Sequence, residues 1–116
     1  MLRIGVFLAF SVCMRAEAAS PESSTRFWNL TGVTLKDVRL APAGTTKWGP
    51  NQCANDKDGE VDFDERLPIT KVAPGRYDVR MRDTRGRACV VNAVEVKEGE
   101  VFVVHQRDLT KSCPWR

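Results

Sequence analysis

Along the second half of the chain, apolar and polar residues trade places with the two-residue period of half-buried strands. Tyr77, Val79 and Met81 alternate with Asp78, Arg80 and Arg82, so Tyr77–Asp83 is the clearest predicted strand. Asp83-Thr84-Arg85-Gly86 has the chemistry of a hairpin turn with glycine at the left-handed position, and Cys89–Val96 returns. Lys97-Glu98-Gly99-Glu100 turns the chain again, and Val101–Gln106 is the last predicted strand. Residues 106–112 are the one stretch with room for a short helix. Upstream, Phe27–Thr31 reads as a strand. Val33-Thr34-Leu35 and Val38-Arg39-Leu40 both alternate, but the phase slips at Lys36-Asp37, which predicts a bulge. Leu67–Val72 reads as a strand that Pro68 confines to a sheet edge. Short valine-rich strands between glycine turns predict a small antiparallel β-sandwich with one long loop between residues 48 and 66.

The first residues follow a different pattern. Met1-Leu2-Arg3 is a positive start, Ile4–Cys13 is an apolar run too short to span a membrane, and Ala16-Glu17-Ala18 offers small residues where a signal peptidase reads. Residues 1–18 are therefore expected to be a cleaved secretory signal, followed by a loose arm over 19–26 and a single domain over 27–116. The expected compartment is the periplasm or the exterior.

Charge then changes the picture. The whole chain carries 18 basic and 15 acidic residues, a net charge of +3. Within it, Asp56–Glu65 packs six carboxylates and one lysine into ten residues, so the remainder is more basic than the total suggests. Arg76, Arg80 and Arg82 lie on the wet side of a strand, and no aromatic interleaving or nucleic-acid motif accompanies them. Nucleic-acid binding is not expected, nor is membrane insertion.

Removal of the signal would take Cys13, leaving Cys53, Cys89 and Cys113. An odd number permits one intramolecular bridge, and Cys89–Cys113 is the expected pair because it would pin the C-terminal tail to the sheet. A zinc site from these cysteines and His105 lacks the close C-x-x-C pair that nucleates one.

Several runs resemble a family of small exported bacterial β-sandwich proteins. They are Trp48-Gly49-Pro50-Asn51-Gln52, Asn55-Asp56-Lys57-Asp58-Gly59, Asp64-Glu65-Arg66-Leu67 and Ala73-Pro74-Gly75-Arg76-Tyr77-Asp78-Val79. The Pro-Gly-x-Tyr-x-Val element is also similar to the last hairpin of transthyretin-like sandwiches. A looser resemblance, through the Asp-rich loop, is to the periplasmic lanthanide-binding proteins of methylotrophs. These resemblances imply the fold, which is transthyretin-like or immunoglobulin-like, and the exported location; the last also implies metal handling.

On its own residues, the acidic loop follows the calcium-loop spacing in which alternate side chains of a curled backbone converge on one ion. Placing Gly59 sixth puts Asp56 third, Asp58 fifth, Asp62 ninth and Glu65 twelfth, with Asp64 in reserve. The first position falls on Ala54, which cannot ligate, and Pro50 and Pro68 forbid helical flanks. The expected ligand is one hard cation, Ca²⁺ or a lanthanide, held by Asp56, Asp58, Asp62, Asp64 and Glu65. Water or a second molecule would complete the sphere, as in a metal-bridged homodimer. The competing expectation is a metal-independent interaction module that presents Trp28, Trp48 or Trp115 to a periplasmic protein partner. Catalysis is not expected, because His105 has no nucleophile tied to it by spacing.

Overall fold

The computed structural model describes Gly5 and residues 24–116. The expected signal and the arm as far as residue 23 lie, Gly5 apart, outside the described residues. Six strands follow: β1 (Arg26–Leu30), β2 (Leu35–Pro42), β3 (Arg66–Pro68), β4 (Gly75–Asp83), β5 (Ala88–Val96) and β6 (Val101–His105). Two short 3₁₀ turns, Gln52–Asn55 and Gln106–Asp108, interrupt the loops. The helix allowed after β6 is thus a single turn.

The strands form two three-stranded sheets, ordered β3-β1-β6 and β2-β4-β5. The second is wholly antiparallel. The first is mixed: β1 runs antiparallel to β3 but parallel to β6, with Phe27 opposite both Leu67 and Phe102. The expected small, antiparallel-dominated all-β fold is present, with β1–β6 a parallel pair within it. That pair follows from the connectivity, because β1 and β6 are first and last and owe nothing to a hairpin. The phase slip read at Lys36-Asp37 is a real irregularity in the β2–β4 register between Leu35 and Asp37. A second bulge, unforeseen, lies opposite Asp78, where Ala93 takes a left-handed conformation (φ 55°) and donates its N–H to Asp78 Oδ1 at 3.0 Å.

One apolar cluster joins the inner faces of both sheets. Phe27, Leu67, Phe102 and Val104 from the first meet Leu35, Val38, Leu40, Val79 and Met81 from the second. Phe27 and Phe102 rings lie 5.6 Å apart across the parallel pair, and burying each contributes about 2 kcal/mol. Arg76, Arg80 and Arg82 occupy the opposite face of β4, as the alternation requires.

The tail returns to this body. Cys113 is disulfide-bonded to Cys89 at the start of β5, with Cα atoms 5.1 Å apart, and Leu109, between β6 and Cys113 in sequence, is buried. A loop closed over a sequence separation of 24 stabilises the fold by about 3 kcal/mol. Trp115, two residues beyond the bridged Cys113, packs partly buried against the core. Among the described residues, no helix is long and apolar enough to cross a membrane.

Candidate functional site: the acidic loop

The loop hangs from a neutral side chain in β1. Asn29 is fully buried, and its Nδ2 donates to the carbonyls of Val33 (2.8 Å), Val61 (3.0 Å) and Asp62 (3.1 Å). Its Oδ1 accepts from the Thr31 backbone N–H (3.1 Å) and hydroxyl (2.6 Å). The Asn29 backbone also accepts from Asp64 N–H and donates to Glu65 O, at 2.7 and 2.9 Å. Asn29-Leu30-Thr31 spells a glycosylation sequon, but both polar side chains of that sequon are inside the protein and already bonded.

A second anchor divides the loop in two. Val61 is 1% exposed and exchanges both backbone hydrogen bonds with Leu35, at 2.9 and 3.0 Å. The ten-residue run is therefore two short turns on either side of a β-bridge.

In the first turn, the Asn51 side chain caps the 3₁₀ segment through Cys53 N–H (3.0 Å) and also bonds β2 at Val38 N–H and Lys36 O. Gln52, 2% exposed, ties the segment to Thr70 through both its amide atoms. Asp56 Oδ1 accepts the Asp58 N–H at 2.8 Å, and Gly59 follows in the left-handed conformation (φ 72°) that closes the turn. Beneath it, the free thiol of Cys53 is buried. Burial first, then the charges of Asp37, Asp56 and Glu60, push its pKa up to about 12.

In the second turn, Glu65 Oε2 accepts the Asp62 N–H (2.9 Å), and Asp62 Oδ1 accepts the Thr34 hydroxyl (3.0 Å). Asp64, left-handed at φ 68°, accepts from Trp28 Nε1 at 2.9 Å, while the Arg66 guanidinium stacks 4.2 Å above the same indole. Phe63, between Asp62 and Asp64, stands 56% exposed at the tip.

The carboxylates named as ligands are thus distributed rather than gathered. Asp56 and Asp58 lie on one turn, Asp62, Asp64 and Glu65 on the other, and among the described residues no group of three or more His, Cys, Asp or Glu is assembled to hold an ion. Nor do loop acids pair with Arg66 or Arg76; the ion pairs among the described residues are Arg39–Asp37, Arg87–Asp83 and Lys97–Glu95. The tryptophans are half-buried. Trp48 lies under the Arg80 guanidinium at 4.8 Å, on the outer face of the second sheet. His105 is half-buried and its backbone N–H donates to Asp108 Oδ2 at 2.8 Å.

Sequence reasoning did not single out Asn29, Gln52, Val61 or Phe63 as site residues. The first two carry ordinary polar signals, and a lone valine among acids offers no period. Comparison with known protein families, curated proteins and solved structures finds no match to this chain.

Proposed function

We propose that the protein is an exported β-sandwich binding module whose acidic loop meets a partner protein carrying basic and apolar groups. The observation that carries this reading is Phe63, 56% exposed between Asp62 and Asp64 on a turn held by the buried Asn29. A large aromatic held out by a fixed backbone gives a partner an anchor at small entropic cost, and the flanking carboxylates select a cationic rim around it. The half-buried Trp28, with Arg66 stacked on it, extends the apolar surface next to Asp64. A photo-crosslinking residue introduced at position 63 is expected to trap a specific adduct in the producing cells, lost when Asp62 and Asp64 become Lys. No adduct, or one indifferent to those charges, would reject the reading.

A second reading, capture of Ca²⁺ or a lanthanide, is favoured by Asp62 and Glu65, whose side chains share one turn with Asp64 beside them. It requires the two turns to fold toward each other around the ion. Calorimetry and light scattering on chelator-treated protein titrated with Ca²⁺ and then La³⁺ tests it. Saturable binding abolished by Asp58→Asn with Glu65→Gln supports it, and absence of heat with both ions removes it.

A further inference from the structure

The outer face of the β2-β4-β5 sheet gathers arginines that its own carboxylates do not balance. Arg39 of β2 lies directly opposite Arg80 of β4, and Arg82, on the same face of β4, lies opposite Asp37. On the other side, β5 sets Val90 opposite Arg80 and Ala88 opposite Arg82, so neither arginine gains a carboxylate there. Asp37 is committed to Arg39, accepting from its Nε at 3.1 and 3.2 Å. Neither Arg80 nor Arg82 joins an ion pair among the described residues. Arg76 differs, because β5 sets Glu95 opposite it.

Like charges directly opposite on an antiparallel pair, with Cβ atoms about 5 Å apart, repel. The three side chains are half-buried, where such charges are screened less than in open water. They are also held in place. Arg39 Nη1 donates to Gly49 O at 3.4 Å, and Arg82 Nη1 donates to Gly86 O at 3.3 Å. The Arg80 guanidinium lies 4.8 Å from the centre of the Trp48 ring, and its Nε is buried with no hydrogen-bond partner among the described residues. Side chains fixed before a ligand arrives lose little entropy when it binds.

We propose that Arg39, Arg80 and Arg82 form a site for a doubly charged tetrahedral oxyanion: phosphate, a phosphate monoester or sulfate. Charge complementarity chooses the occupant. Three guanidiniums and the one carboxylate of Asp37 leave a net charge of +2, which one such dianion balances. The planar forks of Arg39 and Arg80 can share the oxygens of a single group between them, which turns their repulsion into charge-assisted hydrogen bonds. This site lies on the sheet face and makes no use of the acidic loop.

Calorimetry on the protein in low-salt buffer, titrated with inorganic phosphate and with sulfate, tests the site, and ¹⁵N–¹H spectra of the arginine Nε–H groups locate it. The expected result is saturable binding of one ion per chain with Kd of about 1 mM or tighter, shifts at Arg39 and Arg80, and no such response to sodium chloride at equal ionic strength. Arg80→Gln is expected to weaken binding at least tenfold. Arg39→Lys, which keeps the charge but not the fork, should weaken it several-fold. Arg76→Gln, on the same strand but facing Glu95, should leave affinity unchanged, and circular dichroism should be unaltered in all three. Displacement of phosphate by glucose 6-phosphate would assign the site to a soluble monoester, and displacement by phosphatidic acid vesicles to a lipid headgroup. No saturable response up to about 20 mM of either ion overturns the proposal. So does an equal loss in Arg76→Gln and Arg80→Gln, which would report only diffuse basic charge.

Discussion

Two loops in this protein are organised by a buried polar side chain, and the two side chains are chemically opposite. The acidic loop is held by Asn29, which offers N–H donors to three backbone carbonyls. The β4–β5 hairpin is held by Asp83, 2% exposed, which accepts from the N–H groups of Arg85 (3.1 Å) and Arg87 (2.8 Å) and from the Arg87 guanidinium (2.7 Å). The polarity of the loose backbone groups decides the anchor: carbonyls turned inward require a donor, and amides turned inward require an acceptor. A carboxylate at position 29 would face carbonyls beneath a loop that is already anionic. An amide suits that place, and its grip is indifferent to pH. The hairpin's anchor is not. Burial alone would raise the Asp83 carboxyl, but the Arg87 backbone N–H, then its guanidinium, and the Arg85 N–H together hold it below its usual value.

The contrast breaks most severely with Asn29→Asp. A buried carboxylate aimed at carbonyls should cost about 4 kcal/mol near neutral pH, read by urea denaturation, with part of the loss recovered in acid where the group protonates. Asp83→Asn should cost less, about 2 kcal/mol at neutral pH. Here it is the wild type, not the variant, whose stability changes with pH. Because the folded pKa of Asp83 is depressed, its stabilisation is present above the unfolded value near 3.8 and is lost as pH falls through the folded value. The difference between wild type and Asp83→Asn should therefore close in acid, as the Asn29→Asp deficit also narrows for the opposite reason. Asp64→Asn, which weakens the contact to Trp28 Nε1 on the surface, should change stability by about 0.5 kcal/mol and show instead as a shift in Trp28 fluorescence. The smallest effect near neutrality belongs to Cys53. With its pKa raised to about 12, the native thiol should resist alkylation at pH 8, and folding stability should decline only as pH rises from the unfolded value of 9.0 toward 12. Rapid labelling of folded protein at pH 8 would contradict that burial.

Much of the architecture is legible in the sequence because β4 alternates cleanly, β5 and β6 are valine-rich, and the turns between them carry glycine. The bulge in β2 is legible too, since an apolar phase can slip within one strand only if an extra residue is inserted into the ladder. The bulge in β5 is not, because Val90, Val91 and Val94 are interchangeable as apolar letters and nothing marks which of them leaves the core. The parallel β1–β6 pair is invisible to local patterns, being a contact between the two ends of the domain. At the candidate site, spacing located the carboxylates but assumed one curled backbone. The pairing of Val61 with Leu35 is a long-range event that reverses the chain midway, and it sets Asp56 and Asp58 apart from Asp62, Asp64 and Glu65. The buried state of Asn29 was equally hidden, since its neighbours Leu30 and Thr31 spell a surface motif.

That valine has a practical consequence. Pinned at both its N–H and its C=O, Val61 isolates Lys57-Asp58-Gly59 from Phe63 and Asp64, so each turn can change length without transmitting strain to the other. Doubling a flexible loop costs only about 0.6 kcal/mol in closure entropy. The scaffold therefore offers two separate display positions, the exposed Lys57 and Phe63, on either side of one β-bridge, and an insertion at one leaves the other as an internal control.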